Sequence, residues 1–461
     1  MRAPMTSSLG IATGIVRPRR PMPQSMRLAL VGVVAIIGVV GCGSSTTGPS
    51  AQLSTVPSVV PTATTSPAVT PTPTPTTTPK PATTPKPSPT RTATLKATPT
   101  ARPIPAPKFV ATGSMDLPRS GATATLLRNG KVLIAGGTDS LGVVGENIYA
   151  SAELYDPATG RFTKTGSMAA ARVDQTATLL RNGKVLIAGG YGCADPQRCV
   201  NVVDSSTLVN LASAELYDPT TGKFSPAGSM TSPRDAGAAA LLPDGRVLLT
   251  EGADNSWAEL YDPQSGKFTR TGKEIYFDNA SATLLPNGKV LVTGGYIDGP
   301  HDGALYDESS GKFTEISLDL APGTAPTVKY KGQDVDRAWP DPVTLLKDGH
   351  VLLFEGGYLV TYDPTTGKCA AAGFISPHGL WLVPTAALLP DGHVLFAGGD
   401  FESADYDETI ANTAVVYDPS SGSQAIGSMK DAREYQTATL LPNGSVLIAG
   451  GGTTSAELFR P

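Results

Sequence analysis

The sequence has no acidic residue before Asp116, although its 461 residues include 40 of them. It has only four histidines, four cysteines and three tryptophans, and its aromatic content is 6%. Four histidines leave few imidazoles for a metal centre, and four cysteines are too few for a cysteine-rich scaffold. The apolar run from Leu28 to Val40 is 13 residues, short of the roughly 20 that a membrane-spanning helix needs. Charge is unevenly placed. Residues 1 to 41 hold five arginines and the stretch from 42 to 108 six basic residues, which leaves 25 basic against all 40 acidic side chains for the remainder. A surface near −15 weighs against nucleic acid as a partner, because phosphate binding needs a cationic face.

What the first hundred residues do have is basic, apolar and then proline-rich in turn. Five arginines, the 13-residue apolar run and Gly41-Cys42 form a targeting segment. VVGC after basic residues resembles a bacterial lipobox, which implies lipidation of Cys42 and removal of residues 1 to 41; the alternative is an ordinary secretory signal cleaved nearby. Residues 42 to 107 are almost entirely Thr, Pro, Ser and Ala, so they cannot bury a core. Such a stalk, if extended as polyproline II at about 3 Å per residue, reaches on the order of 200 Å; a tether without preferred extension fits the threonine-rich parts equally well.

The remainder is repetitive. TATLLRNGKVLIAGG runs from Thr123 to Gly137 and again, letter for letter, from Thr176 to Gly190. A looser form occurs seven times, with glycines at 130, 183, 245, 288, 349, 392 and 444 and gaps of 53, 62, 43, 61, 43 and 52 residues. A unit of about 43 residues with insertions is the period of propeller blades. Within a unit, two short β-forming runs flank a turn ending in Gly, as in LPDG or LPNG, which suits a type I turn closed by a left-handed glycine. ASAELYDP then supplies a third strand, TTGK or ATGR a second Gly-closed turn, and KF a fourth strand. Four antiparallel strands in each of seven units make an all-β, seven-bladed β-propeller over 108 to 461.

These residues resemble the Kelch family. The glycine pairs ending strand b (136-137, 189-190, 294-295, 356-357, 398-399), the strand c tyrosines (Tyr155, Tyr217, Tyr261, Tyr306, Tyr362, Tyr417) and the strand d aromatics carry the resemblance. The chain departs from it in strand d, with Phe162, Phe224, Phe268 and Phe313 where the family often has Trp, and Cys369 in the fifth unit, read as a buried thiol. Kelch propellers serve as binding platforms, scaffolds and sometimes enzymes, so the resemblance implies a fold and leaves the function open.

Alternation of strands puts the a-b and c-d turns on one rim, the bottom, and the b-c and d-a loops on the other, the top. Bottom turns are short and stereotyped. Top loops vary, with insertions near 138 to 150, 191 to 212, 296 to 302 and 400 to 412, and variable loops on a rigid frame are where binding usually sits. Four units carry an arginine seven residues before the LL pair (Arg119, Arg172, Arg234, Arg433), and the same four carry a strand c glutamate (Glu153, Glu215, Glu259, Glu457). Units 4 to 6 lack both: Phe277, Ala338 and Trp381 replace Arg, and Ala304, Val360 and Val415 replace Glu. Joint presence and absence point to one buried ion pair per regular blade, in preference to a ring of arginines that binds an anion.

Irregular blades are where function tends to collect. His301, Trp339, Asp341, Glu355, Tyr358, His378, Trp381 and Asp400 all fall at or near the top of blades 4 to 6, and aromatic faces beside carboxylates and imidazoles suit a carbohydrate or a polar peptide. The alternative is that the tryptophans plug blade cores and the acids are solvated. Galactose oxidase and glyoxal oxidase share the resemblance and hold copper with two Tyr and two His; here His350 and His393 follow bottom turns, no Tyr-His dipeptide occurs, and Cys369 lies on an outer strand. A metal-free sugar epimerase needs only acid-base side chains and stays open. Cys193 and Cys199 are expected to form a disulfide outside the cytoplasm. The reading is therefore a lipid-anchored, extracytoplasmic, monomeric binding module at the bacterial cell surface. It engages an extracellular protein or glycan through the top face and needs no cofactor and no metal. The rival is a carbohydrate-active enzyme. Finally, KFVATGSM at Lys108 to Met115 matches RFTKTGSM at Arg161 to Met168, and the chain stops after a strand c at Thr454 to Pro461. Strand d of the last blade is thus expected from the start of the propeller, with Phe109 beside Leu458, which puts the stalk at the bottom rim.

Overall fold

A computed structural model describes residues 108–139, 147–193, 195–200, 202, 208–234, 237–250, 257–273, 280–294, 302–318, 320, 329–330, 333–334, 340–355, 357–375, 380–382, 384–402 and 408–461. Seven four-stranded antiparallel sheets form the seven blades of a β-propeller. Strands a to d of blade 1 are Thr123–Leu126, Val132–Ala135, Ala152–Asp156 and Arg161–Lys164; those of blade 2 are Thr176–Leu179, Val185–Ala188, Val209–Asp218 and Lys223–Arg234. Blade 3 comprises Ala239–Leu241, Val247–Leu249, Trp257–Asp262 and Lys267–Lys273, and blade 4 Ser281–Leu284, Val290–Thr293, Asp302–Asp307 and Lys312–Ser317. Blade 5 comprises Pro340–Leu345, Val351–Glu355, Tyr358–Asp363 and Lys368–Phe374, and blade 6 Thr385–Leu388, Val394–Ala397, Thr413–Asp418 and Gly422–Ser428.

Blade 7 takes Gln436–Leu440, Val446–Gly450 and Ala456–Arg460 from the end of the chain and Lys108–Ala111 from before blade 1. The closing strand sits one residue away from the expected register. Phe109 lies opposite Phe459, and Val110 opposite Leu458. The physical reason is that Phe459 occupies the position of the strand c tyrosines, four of which face a strand d phenylalanine, as Tyr155 faces Phe162. Phe109 and Phe459 keep that pairing with ring centroids 5.4 Å apart.

The core lies between blades. Alternating side chains of b and c strands fill each blade-to-blade seam, as where Val132, Ile134 and Tyr155 of blade 1 meet Leu447, Ala449 and Leu458 of blade 7. The strand c tyrosines also cross these seams by hydrogen bonds. The Tyr155 hydroxyl lies 2.8 Å from Thr112 Oγ1, Tyr217 2.9 Å from Thr165 and Tyr306 2.8 Å from Thr271, in each case a threonine in or just after strand d of the preceding blade. Cys369 differs from its sequence expectation in being half-buried, opposite Tyr362.

Bottom turns are closed on themselves. In the a-b turn of blade 1, Leu127 N donates to Lys131 O, Gly130 N to Leu127 O, and Lys131 N to the Asn129 side chain, and the same three bonds recur in all seven blades. Gly130 adopts φ 81°, the left-handed conformation that glycine reaches without a Cβ clash. At the c-d turns, Asp156 accepts from Ala158 N at 2.9 Å and faces Lys131 at 3.2 Å; these contacts hold its pKa below the ordinary carboxylate value. His393 replaces that lysine in blade 6, with Nδ1 2.8 Å from Asp391 and Nε2 3.5 Å from Asp418, and the Asp391 hydrogen bond raises its pKa.

Candidate functional site

At the top rim the four regular blades carry an internal collar of ion pairs. Arg119, Arg172 and Arg433 are at most 1% exposed and Arg234 is 3% exposed. Each guanidinium reaches the strand c glutamate of its own blade: Arg119 to Glu153 at 3.2 Å, Arg172 to Glu215 at 3.2 Å, Arg234 to Glu259 at 3.1 Å and Arg433 to Glu457 at 3.6 Å. Arg172 also donates to Gly189 O (2.8 Å), Ser213 O (2.9 Å) and Ser213 Oγ (2.8 Å), and Arg119 and Arg433 repeat this set on Gly136 and Ser151 and on Gly450 and Ser455. Burial pulls the pKa of Arg119, Arg172 and Arg433 down, and the partner glutamate pulls it back up.

The arginine backbone meanwhile faces the preceding blade. Gly137 N donates to Arg172 O at 2.8 Å, Gly190 N to Arg234 O at 2.7 Å and Gly399 N to Arg433 O at 2.7 Å. A Cβ on Gly136 would lie 2.6 Å from Arg172 O, and Gly136 has φ 69°, so this approach requires glycine. The glycine pairs that mark the repeat therefore let each arginine sit in a seam between blades.

Trp381 corrects one sequence expectation. Its ring is 0% exposed and offers no face to a ligand. Its Nε1 donates to Gly398 O at 2.7 Å, across the same 17-residue spacing by which Arg119 reaches Gly136 and Arg172 reaches Gly189. An indole here takes over the guanidinium's hydrogen bond, while Val415, in the glutamate's place, joins Trp381, Phe354 and Phe396 in an apolar cluster. Trp381 also stacks on Phe401 at 5.7 Å and meets Phe354 edge-on at 5.8 Å. Trp381→Phe keeps much of this packing and leaves the Gly398 carbonyl without its donor, so a loss of about 1–2 kcal/mol in denaturant unfolding is expected, with the fold unchanged by circular dichroism.

Glu355, Tyr358 and Asp400 are also internal, at 0%, 5% and 6% exposure. Glu355 and Tyr358 are cross-strand partners at the b-c connection of blade 5, and Asp400 pairs with Leu382 beside Trp381. These side chains line the body of blades 5 and 6 and do not form an open platform. His301, Trp339 and His378 lie outside the described residues, as does the side chain of Asp341.

Two small cap sheets rise above the rim. Ala171–Val173 and Tyr191–Cys193 pair above blade 2 with the start of its strand c, and Leu380–Leu382, Asp400–Glu402 and Glu408–Ile410 form the other above blade 6. Cys193 and Cys199 are joined by a disulfide, and both are buried with Ile148, Ala171, Val173, Val202 and Leu208. Ile148 N donates to Cys199 O at 2.9 Å, so the bridged loop of blade 2 rests on the top loop of blade 1.

Sequence reasoning passed over blade 3. Strand c there begins WAEL where blades 1, 2 and 7 have SAEL, so Trp257 stands in the place of the arginine-binding serine. Trp257 is 44% exposed. Between blades 2 and 3 a small cavity of about 10 Å³, room for about one water molecule, is lined by Asp174, Thr176, Met230, Arg234, Leu249 and Thr250 among others. Asp174 has φ 55°, a left-handed conformation held by Gly121 (φ 61°) at the matching position of blade 1.

Among the described residues no group of three or more His, Cys, Asp or Glu is placed to hold a metal ion. The two described histidines are on the bottom rim, 3.1 Å from Asp348 for His350 and 2.8 Å from Asp391 for His393, and do not suit a top-face copper centre.

No family model matches the sequence, and no curated protein does. Solved structures do. A fungal alcohol oxidase of the AA5 family, in complex with copper, is 15% identical with a TM-score of 0.55, over 77% of this chain and 76% of that one. A streptogramin B lyase is 12% identical with a TM-score of 0.53, over 77% and 98%. Virginiamycin B lyase from Staphylococcus aureus is 13% identical with a TM-score of 0.51, over 77% and 99%. At such identities the likeness is one of fold alone, a β-propeller.

Proposed function

We propose that the protein is a Kelch-type propeller, anchored by a lipid at Cys42 outside the cytoplasm of a bacterium, that binds an extracellular protein or glycan through its top face. The observation that carries this reading is the contrast between the rims. Bottom turns repeat one hydrogen-bond pattern in all seven blades. At the top, loops differ from blade to blade, carry the two cap sheets and the disulfide, and present the exposed indole of Trp257. A rigid frame with variable loops on one rim is the usual layout of a binding surface.

The targeting segment and stalk support the placement. Basic residues, a short apolar run and Cys42 suit lipid anchoring. Lys108 begins strand d of blade 7 opposite Arg460, at the rim of the short turns. The test is to present the full chain to a glycan array and to extracellular protein fractions, with metal content measured in parallel. Binding through the top face without stoichiometric metal is expected. Tight stoichiometric metal, or turnover of a sugar, would replace the binding module with the enzyme reading.

A further inference from the structure

We infer that the Cys193–Cys199 disulfide is the latch of the cap on blade 2, so that this part of the top rim assembles only once the chain meets an oxidising compartment. The two caps are built alike and fastened differently. In blade 6, Leu380–Leu382 pairs with Asp400–Glu402 and sets Trp381 opposite Phe401; in blade 2, Ala171–Val173 pairs with Tyr191–Cys193 and sets Arg172 opposite Gly192. The middle pair of blade 6 is a ring stack at 5.7 Å, and Trp381 belongs to the core between blades 5 and 6 with Phe354, Phe396 and Tyr417. That cap is anchored by apolar packing, and residues 380 to 410 contain no cysteine.

Blade 2 has no such anchor. The Arg172 side chain is taken up by the collar, bonded to Gly189 O, Ser213 and Glu215. Opposite it only glycine fits, because a Cβ on Gly192 would lie 2.1 Å from Ala171 O. The neighbouring pair, Ala171 and Cys193, is where the disulfide begins. It reaches Cys199, six residues on, whose carbonyl accepts from Ile148 N at 2.9 Å, while Arg172 N donates to Tyr149 O at 3.2 Å. The bond thus gathers three separate segments: the blade 1 top loop at 148 and 149, the cap strand at 171 to 173, and the blade 2 loop that carries both cysteines.

Little else holds these segments. Ile148, Ala171, Val173, Val202 and Leu208 bury the two cysteines in a cluster of their own, apart from those that fill the seams of blades 1 and 2. Inside the bridged ring the backbone makes one 3-10 turn, Pro196–Cys199, with the Asp195 side chain accepting from Gln197 N at 3.0 Å, and a single turn is not stable alone. Satellite elements of this kind open locally at a lower free energy than the core that carries them. Without the cross-link the ring regains its chain freedom and the cap opens. The blade beneath stays closed, since the four bonds of the Arg172 side chain and the ladder of strands a to d use no residue of the ring. Closing the latch takes two electrons and two protons from the thiols; a disulfide-bearing oxidant accepts them and leaves as two thiols. That the closed cap serves binding rests on the reading of the top rim, whereas the latch rests on these contacts alone.

The test is amide hydrogen exchange on the full chain in three forms: oxidised, kept reduced with dithiothreitol from lysis onward, and Cys193→Ala with Cys199→Ala, which keeps both positions apolar. In the reduced form and in the double variant, residues 148, 171 to 173 and 191 to 193 should exchange at least about tenfold faster than in the oxidised chain. Strand Val185–Ala188 beneath the cap and Leu380–Leu382 in the other cap should exchange as before. Oxidised glutathione should restore protection to the reduced chain and leave the variant as it was. Unchanged exchange at 171 to 173 in either form, or no recovery with glutathione, would overturn the latch. So would loss of protection in all seven blades, which would make the bond a fastener of the whole ring. The readout needs no partner. Capture of neither glycan nor extracellular protein by an oxidised chain with a protected cap would overturn the binding face and leave the latch standing.

Discussion

Glu215→Ala is expected to destabilise the propeller by about 3–5 kcal/mol, the range found when one partner of a buried pair is removed. Three donors converge on that carboxylate. Arg172 Nη2 lies 3.2 Å away, Ala169 N 2.8 Å and Ala170 N 3.3 Å. Alanine leaves all three facing a void, and the guanidinium, 0% exposed, cannot turn to water. Burial already lowers the pKa of Arg172, and Glu215 is the group that opposes the shift. Removing both partners together should cost less than the sum of the single losses, since no charge is then left unpaired. Arg172→Met with Glu215→Leu tests that in the same denaturant series. A loss below about 1 kcal/mol for Glu215→Ala would mean that the collar contributes little to stability.

Blade 6 already contains a version of that double replacement. Trp381 and Val415 stand where Arg and Glu stand elsewhere, and the indole still reaches the Gly398 carbonyl at 2.7 Å. One function of the pair, holding the end of strand b, is thus separable from the charge itself. The other half of the motif is untouched by the exchange: Gly399 N donates to Arg433 O at 2.7 Å in the next seam, as Gly137 N does to Arg172 O at 2.8 Å.

Blade number, strand order and the arginine-glutamate pairs were legible in the sequence because each rests on a pattern repeated in four blades or more. Joint absence of Arg and Glu from blades 4 to 6 was as informative as their presence. The role of Trp381 was less legible, since a tryptophan at a loop end reads equally as platform or plug. The signal that separates them was present: Trp381 precedes Gly398 by 17 residues, as Arg172 precedes Gly189. Trp257 was not legible because blade 3 keeps both Arg and Glu and loses only the serine. Threonines 112, 165 and 271, each before a glycine, also went unread, because their tyrosine partners belong to the next blade and lie 43, 52 and 35 residues on.

Removing residues 108 to 112 is expected to lower stability by at least about 5 kcal/mol and to broaden or abolish the single unfolding transition. Phe109 packs on Phe459 across strands within blade 7, and truncation of a buried ring costs about 3–5 kcal/mol. Strand Lys108–Ala111 also completes the ladder of blade 7 over four residue pairs. Thr112 then joins the next blade through Tyr155 at 2.8 Å, and its own N donates to Ala456 O at 3.0 Å. The deletion therefore opens the ring at one seam and bares Ala456–Arg460 as an unpaired edge, which favours association between chains. Adding the peptide KFVATGSM in trans should recover part of the loss, because the edge and the Phe459 pocket remain to receive it. Phe109→Ala alone should reproduce about half of the effect without broadening the transition, since the ladder survives. An unchanged melting temperature after the deletion would show that the first strand is an accessory of blade 7 and that the ring closes without it.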